Sequence, residues 1–289
     1  MPYSNGQLSA PYPSFLPLTM LLYNGQLVAE TAALPLPNRG LYYNDGFFET
    51  MIWDQTGIRY LPQHLARMQR AAQALGLVLP PELDPDHLAA TLGRLVAAQH
   101  AEAGPQRLRL QVWRAGAGLY TPTTTACEWL ATIQAFTPQD GFIDQAAFAT
   151  RLFTSYSPFS FCKGPNALTY VQAARERDQR GLGELILLSA DGYVAETIAA
   201  GIGWIKEGTV YTPTEATGAV AGTRLAYLRT VAQRLGIAWQ AGRFLPTEVL
   251  AAEAVFTANI AGIRLIRRIE EVSFGAAEHP LLLRLRAAE

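Results

Sequence analysis

Only two of the 289 residues are lysine, Lys163 and Lys206, so 21 of the 23 basic residues are arginine. Lys206 falls in Trp204-Ile-Lys-Glu-Gly-Thr-Val210, where Glu207-Gly208 reads as a wet hairpin turn between apolar strands. Lys163 instead follows Phe161-Cys162 and precedes Gly164-Pro165, with a further aromatic at Phe159. An ammonium in such surroundings is costly to desolvate, and desolvation moves its pKa down towards a free, nucleophilic amine. The stretch 157–166 is therefore a candidate reactive loop, set against the plainer reading of a lysine that snorkels to solvent.

A second stretch could hold an anion. Gly218-Ala-Val-Ala-Gly222-Thr223 runs straight into a helix whose apolar face is Leu225, Leu228, Val231 and Leu235. Backbone N–H groups at a helix start, with the helix dipole and a hydroxyl, bind phosphate without help from net charge. Glu196 lies after a strand and before the small residues Thr197-Ile-Ala-Ala-Gly201, and a carboxylate buried there needs a cationic partner. Arg67 sits one turn after His64 on an amphipathic helix. Other chemistries find no support. The four histidines are dispersed without metal-ligand spacing, and Gly116-Ala-Gly118 does not open a helix. Serine-hydrolase, zincin and Walker signatures are missing.

The elements that must carry these residues divide the chain in two. Residues 1–19 are rich in Pro, Ser and Tyr and read as a loose extension. Residues 20–136 are expected to form a smaller domain. It comprises a hairpin about Asn24-Gly25, a glycine-rich connection over 38–46, a strand over 47–53, helices over 62–74 and 85–101, and strands over 107–113 and 127–136. A linker over 137–145 leads to a larger domain, 146–289. Its expected elements are strands over 147–153, 184–189, 193–195 and 263–269, a hairpin over 202–212, and helices over 168–180, after Thr223, and over 279–288. Strands and helices mix without strict alternation, so the fold class is α+β rather than a doubly wound sheet.

Hydrophobic content of 49% and 16% charged residues fit a globular chain, and a net charge of −1 argues against nucleic acid or a membrane surface as partner. Two cysteines, Cys127 and Cys162, with no close spacing imply reduced thiols. No apolar run reaches membrane-span length and no secretory signal is recognisable, so a cytoplasmic location is expected.

Taken in order, the motifs resemble one family. They are Asn38-Arg-Gly40, Asp45-Gly-Phe-Phe-Glu-Thr50, His64-Leu-Ala-Arg67, Lys163 to Asn166, Gly181 to Glu184, Asp191-Gly-Tyr-Val-Ala-Glu196, Thr212-Pro213, Gly222-Thr-Arg224, Phe256-Thr257 and Gly262-Ile263. The chain resembles the class IV aminotransferases, the fold-type-IV pyridoxal-phosphate enzymes, from Met20 to about Phe274. That family includes branched-chain and D-amino-acid aminotransferases and aminodeoxychorismate lyase. The resemblance implies two α/β domains with pyridoxal 5′-phosphate at their interface, in a homodimer whose partner loops complete the site. It implies that Lys163 carries the cofactor as a Schiff base and then acts as base. Glu196 would bond the pyridine nitrogen, and Arg67, Gly222 and Thr223 would hold the phosphate. Asn259 and Ile260 occupy a turn that in the family serves phosphate or substrate carboxylate.

Several positions depart from the family pattern. Gly201 stands where asparagine is usual, Gly203 where an aromatic is, and Asn44 where glycine is. Asn259 replaces a serine or threonine and Ala258 an asparagine. The run Thr257-Ala-Asn-Ile-Ala-Gly-Ile263 and the loop from Arg114 to Tyr120 resemble the lyase branch, and Leu168 stands where branched-chain enzymes carry tyrosine. The expectation is an aminodeoxychorismate-lyase-like enzyme acting on a small-molecule amine. A transaminase is the alternative. A third reading, a cofactor-binding protein without efficient chemistry, is motivated by Gly201, Gly203 and Asn259.

Overall fold

The computed structural model describes residues 19–99, 104–275 and 277–289. The expected extension lies almost wholly outside the described residues, as does the expected end of the second helix at 101.

The first half contains β1 (Met20–Tyr23), β2 (Gln26–Ala29), α1 (Arg39–Tyr43), β3 (Gly46–Asp54), β4 (Gly57–Ile58), α2 (Leu61–Leu75), α3 (Leu88–Ala98), β5 (Gln106–Arg114) and β6 (Cys127–Ala135). Its strands form one sheet in the order β2-β1-β6-β5-β3-β4. The β1–β2 hairpin turns at Asn24 and Gly25, both at positive φ (45° and 80°), as a two-residue hairpin requires. Alternation decides the two faces of this sheet. Phe47 and Met51 on β3 and Leu108, Leu110 and Val112 on β5 pack against α2 and α3 through Met68, Ala71, Leu88, Leu92 and Leu95. Phe48, Thr50, Ile52, Arg107 and Arg109 point to the other face, where the cavity described below lies.

The second half contains β7 (Gly141–Ile143), β8 (Ala146–Thr154), α4 (Ala167–Gln179), β9 (Glu184–Ser189), β10 (Val194–Thr197), β11 (Gly201–Lys206), β12 (Thr209–Pro213), α5 (Thr223–Arg234), β13 (Ala238–Gly242), α6 (Pro246–Leu250), β14 (Ala254–Asn259), β15 (Gly262–Ile266), β16 (Arg268–Ile269), β17 (Val272–Ser273) and α7 (Pro280–Ala287). Two sheets result, β10-β9-β8-β16-β17 and β13-β12-β11-β14-β15-β7. Ile186, Val194, Ile202, Trp204, Val255 and Ile266 form the core they share. Helices α5 and α7 cover the second sheet through Leu228, Val231, Leu281, Leu282 and Leu285. Helix α4 lies on β9 through Ala173, Leu185 and Leu187. The mixed α+β expectation is met.

Local differences have local causes. The expected connection over 38–46 contains α1, because the Asn38 side chain caps Leu41 N–H at 2.9 Å and Asn44 ends the helix in the left-handed region. Residues 141–143, inside the expected linker, pair in parallel with β15. The second helix starts at Leu88 rather than 85, since the Asp84 carboxylate closes a turn on the N–H groups of Asp86 and His87. Strand β13 was not expected, and the single strand expected over 263–269 divides at Arg267 between two sheets. Glu196 lies within β10, opposite Leu187, rather than after a strand.

Candidate functional site

A cavity of about 620 Å³ opens between the β3–β5–β6 face, the start of α4, the start of α5 and the β14–β15 turn. Its lining includes Lys163, Glu196, Arg67, Gly222, Thr223, Asn259 and Ile260, so one space collects every candidate cofactor residue named from the sequence.

The Lys163 loop is pinned to β3. Phe48 N–H donates to the Lys163 carbonyl at 2.9 Å, and Ala221 N–H to that of Phe161 at 2.9 Å. Gly164 has φ 131°, and a Cβ there would lie 3.1 Å from the Phe47 backbone, so only glycine lets the loop lie this close. Asn44, where the family pattern has glycine, keeps the left-handed conformation and donates from its side chain to the Gly164 carbonyl at 2.6 Å. Burial lowers the Lys163 pKa to about 8, reinforced by the charge of Arg67 and opposed by Glu49 and Glu196. A larger share of the amine is therefore unprotonated near neutral pH than for an ordinary lysine, although the ammonium still predominates at pH 7.

Glu196 is buried, with one oxygen held twice: Oε1 accepts from the Tyr170 hydroxyl at 2.6 Å and from Val220 N–H at 3.1 Å. Neither donor uses Oε2, which leaves that oxygen for a cavity ligand with an N–H. Burial raises this carboxyl to about 7 against the pull of those two hydrogen bonds and of Lys163 and Arg67. A bound cation or strong donor at Oε2 would restore its ionised form.

Arg67 is buried and anchored by Glu49. Its Nε donates to Oε1 at 2.7 Å and its Nη2 to Oε2 at 2.5 Å, while Nη1 reaches the Ala221 carbonyl at 2.6 Å. His64 Nδ1 lies 2.7 Å from Glu49 Oε2, and burial keeps its pKa below the ordinary value, so the neutral ring donates that bond. Arg67 thus brings positive charge to the same cavity as the start of α5. Gly222 is the N-cap there, and no acidic residue occupies the first turn. The N–H groups of a first helical turn have no partner within the helix, so this end fits a phosphate.

The β14–β15 turn is spent differently from the family expectation. Asn259 Oδ1 accepts from Ala261 N–H at 2.8 Å and Gly262 N–H at 3.1 Å, and its Nδ2 donates to the Ala199 carbonyl at 3.1 Å. The side chain closes its own turn, and Ala258, Ile260 and Ala261 line the cavity beside it. The glycine departures are filled by neighbours. A Cβ on Gly203 would lie 2.5 Å from the Phe256 ring, and one on Gly201 2.3 Å from Leu225 Cδ1. Packing at both positions is supplied from β14 and α5 instead.

Sequence reasoning missed four residues. Glu49 was quoted within a motif but given no role, although its alternation with Phe47 and Met51 aims it at α2. Tyr170, two residues beyond exposed Leu168 on α4, supplies the hydroxyl to Glu196. Arg107 and Arg109 share the cavity face of β5, a placement that strand periodicity alone predicts. Arg109 lies 3.8 Å over the Phe48 ring, and burial with the charge of Arg107 lowers its pKa. Arg114, in contrast, is held by Asp45 and by the carbonyls of Leu75 and Gly76, and is absent from the cavity lining.

The Amino-transferase class IV family model matches residues 46–269. The chain belongs to that family. It is 26% identical over 263 residues to an aminodeoxychorismate lyase of Bacillus subtilis, covering 89% of both chains. It is equally 26% identical over 282 residues to a branched-chain-amino-acid aminotransferase of Pseudomonas aeruginosa, covering 93% of this chain and 91% of that one. Among solved structures, the branched-chain amino acid aminotransferase of Thermobaculum terrenum in its PLP form superposes with a TM-score of 0.81 at 18% identity, over 93% and 92% of the two chains. The fold is thus that of the fold-type-IV aminotransferases.

Proposed function

We propose that this class IV enzyme binds pyridoxal 5′-phosphate in the cavity, through Lys163, and uses it to split an aminodeoxychorismate-like substrate into 4-aminobenzoate and pyruvate. The carrying observation is the co-location of a lysine amine of pKa about 8, a buried carboxylate with a spare oxygen, and a helix start beside Arg67. These match the three chemical features of the cofactor: an aldehyde, a ring nitrogen and a phosphate. When bound, pyridoxal phosphate supplies a ring that takes up the electron pair left on a substrate carbon. Lys163 would hold the cofactor, and its free Nζ would take the proton from the substrate carbon. Glu196 Oε2 would accept the ring N–H, with Tyr170 and Val220 fixing the carboxylate through Oε1. Arg67 and the N–H groups of α5 hold the phosphate.

Support for the lyase reading comes from the part of the cavity lining that β5 supplies. Arg107 and Arg109 stand together on the cavity face of β5, which suits a substrate carrying two carboxylates. The second reading, transfer of an amino group from an amino acid or amine to a 2-keto acid, is favoured by the equal likeness to a branched-chain aminotransferase. Pyruvate release from aminodeoxychorismate without added keto acid supports the lyase. Turnover that needs a 2-keto acid acceptor supports the transaminase.

The same reading places two domains, 20–136 and 146–289, on either side of the cofactor in a homodimer. Exposed Leu41 and Tyr42 on α1 and Leu119 and Tyr120 on the neighbouring loop offer an apolar surface for the second copy. Arg39 braces that surface by donating to the Gly118 and Leu119 carbonyls. A reducing, cytoplasmic setting completes it, in keeping with two free thiols, Cys162 being buried. Among the described residues no helix is long and apolar enough to cross a membrane.

A further inference from the structure

Three separate elements carry the candidate phosphate residues: α2 with Arg67, the start of α5 with Gly222 and Thr223, and the β14–β15 turn with Ile260. One carboxylate beyond α7 touches or is tied to all three. Glu289 Oε1 accepts from the Tyr60 hydroxyl at 2.5 Å, and Tyr60 is the N-cap residue of α2. The same oxygen accepts from Arg224 Nε at 2.7 Å, and Oε2 from Arg224 Nη2 at 2.6 Å, in the first turn of α5. The third guanidinium nitrogen of Arg224 donates to the Asn259 carbonyl at 3.2 Å, in the turn next to Ile260. Tyr227, one turn further along α5, donates to the Glu289 backbone carbonyl at 3.2 Å, and its ring lies 5.0 Å from that of Tyr60.

The geometry points to Glu289 as a positioning residue for the phosphate cradle, acting through Arg224 and Tyr60 without touching the ligand. This rests on the reading that pyridoxal phosphate occupies the cavity. Tyr60 holds φ 56°, a conformation a tyrosine adopts only when its surroundings impose it, and its hydroxyl bond to Glu289 is one such constraint. Arg224 and Glu289 are both nearly covered, 11% and 12% exposed, so their paired hydrogen bonds are shielded from solvent competition. With glutamine in place of Glu289, the Arg224 guanidinium loses its counter-charge and one of the two acceptors, and the α5 start is free to shift relative to the β14–β15 turn and α2. A cradle that depends on aligned N–H groups and a fixed guanidinium then loses affinity for phosphate, while an aldehyde-and-ring site formed by Lys163 and Glu196 does not.

The test compares two probes on cofactor-free protein, pyridoxal 5′-phosphate and pyridoxal, titrated by absorbance for wild type, Glu289→Gln and Tyr60→Phe. The expected result is an affinity for the phosphate ester at least about fivefold weaker in Glu289→Gln, a smaller loss in Tyr60→Phe, and pyridoxal affinity within about twofold of wild type in both. Equal affinities for the ester in wild type and Glu289→Gln would overturn the inference, as would parallel losses for both probes, which mark general loosening. If Glu289→Gln does not fold, Tyr60→Phe decides by the same comparison. A wild-type protein that binds neither probe contradicts the cofactor reading itself, a separate outcome.

Discussion

Arg67 and Glu49 face each other through two hydrogen bonds, 2.7 Å and 2.5 Å long, with both side chains almost wholly out of solvent. Burial alone would raise the Glu49 pKa, but the Arg67 charge and the bonds from His64 and Arg67 bring it down to about 2. Glu49→Gln leaves a buried guanidinium without its counter-charge, and a loss of about 3–5 kcal/mol in unfolding free energy is expected. The pH dependence carries its own sign. A depressed carboxylate stabilises the fold above its ordinary pKa and loses that contribution as pH falls towards 2. Urea unfolding should therefore show wild type losing more stability than Glu49→Gln between about pH 4.5 and 2.

Lys163 has the opposite sign. Its folded pKa lies at about 8, below the ordinary lysine value, so the cofactor-free protein bears the cost of a buried ammonium at neutral pH. Lys163→Met is expected to stabilise that protein by about 1–3 kcal/mol at pH 7. The advantage should shrink as pH rises from about 8 to 10.5, where the unfolded chain also loses its proton. Thermal midpoints of the two proteins across that range check this. A Met variant less stable than wild type at pH 7 contradicts it.

Gly203 and Phe256 are cross-strand partners, and the ring occupies the space a side chain at 203 would need. Gly203→Ala should cost about 1–3 kcal/mol through displacement of that ring. Combining it with Phe256→Leu should recover part of the loss relative to the sum of the two single changes, a coupling that a double-mutant cycle measures.

On the proposed reading, Arg107 and Arg109 on the cavity face of β5 meet the substrate carboxylates. Arg107→Gln and Arg109→Gln should each lower kcat/KM for a dicarboxylate substrate by about tenfold or more, as expected for losing a charged hydrogen bond. Cofactor affinity should change little in both variants. A parallel fall in cofactor affinity would assign the pair to phosphate rather than to substrate.

Much of the site was legible because its chemistry is written in residue type and local setting. Lys163 stands out as one of two lysines, in an apolar loop, and Gly222-Thr223 as a helix start. Glu196 could be named but not its placement within a strand, because β10 pairs irregularly with β9 and only tertiary contact fixes that register. The partners of Tyr170 and Glu49 were hidden for a related reason. Each bonds a partner 26 or 15 residues away, and nothing in the chain order announces which helix face meets which strand. The Asn259 role shifted because an asparagine can close its own turn where a hydroxyl would project. Strand β13 went unseen because its residues are mostly exposed at a sheet edge and carry no alternation.

On the proposed reading, Lys163 is the amine that carries the cofactor. Protein saturated with pyridoxal 5′-phosphate, reduced with borohydride, digested and weighed tests it directly. One reduced pyridoxyl adduct on the peptide containing Lys163, with loss of the yellow colour and no adduct in Lys163→Ala, is the predicted result. An adduct on Lys206 alone, or a wild-type protein that takes up no cofactor, would contradict it.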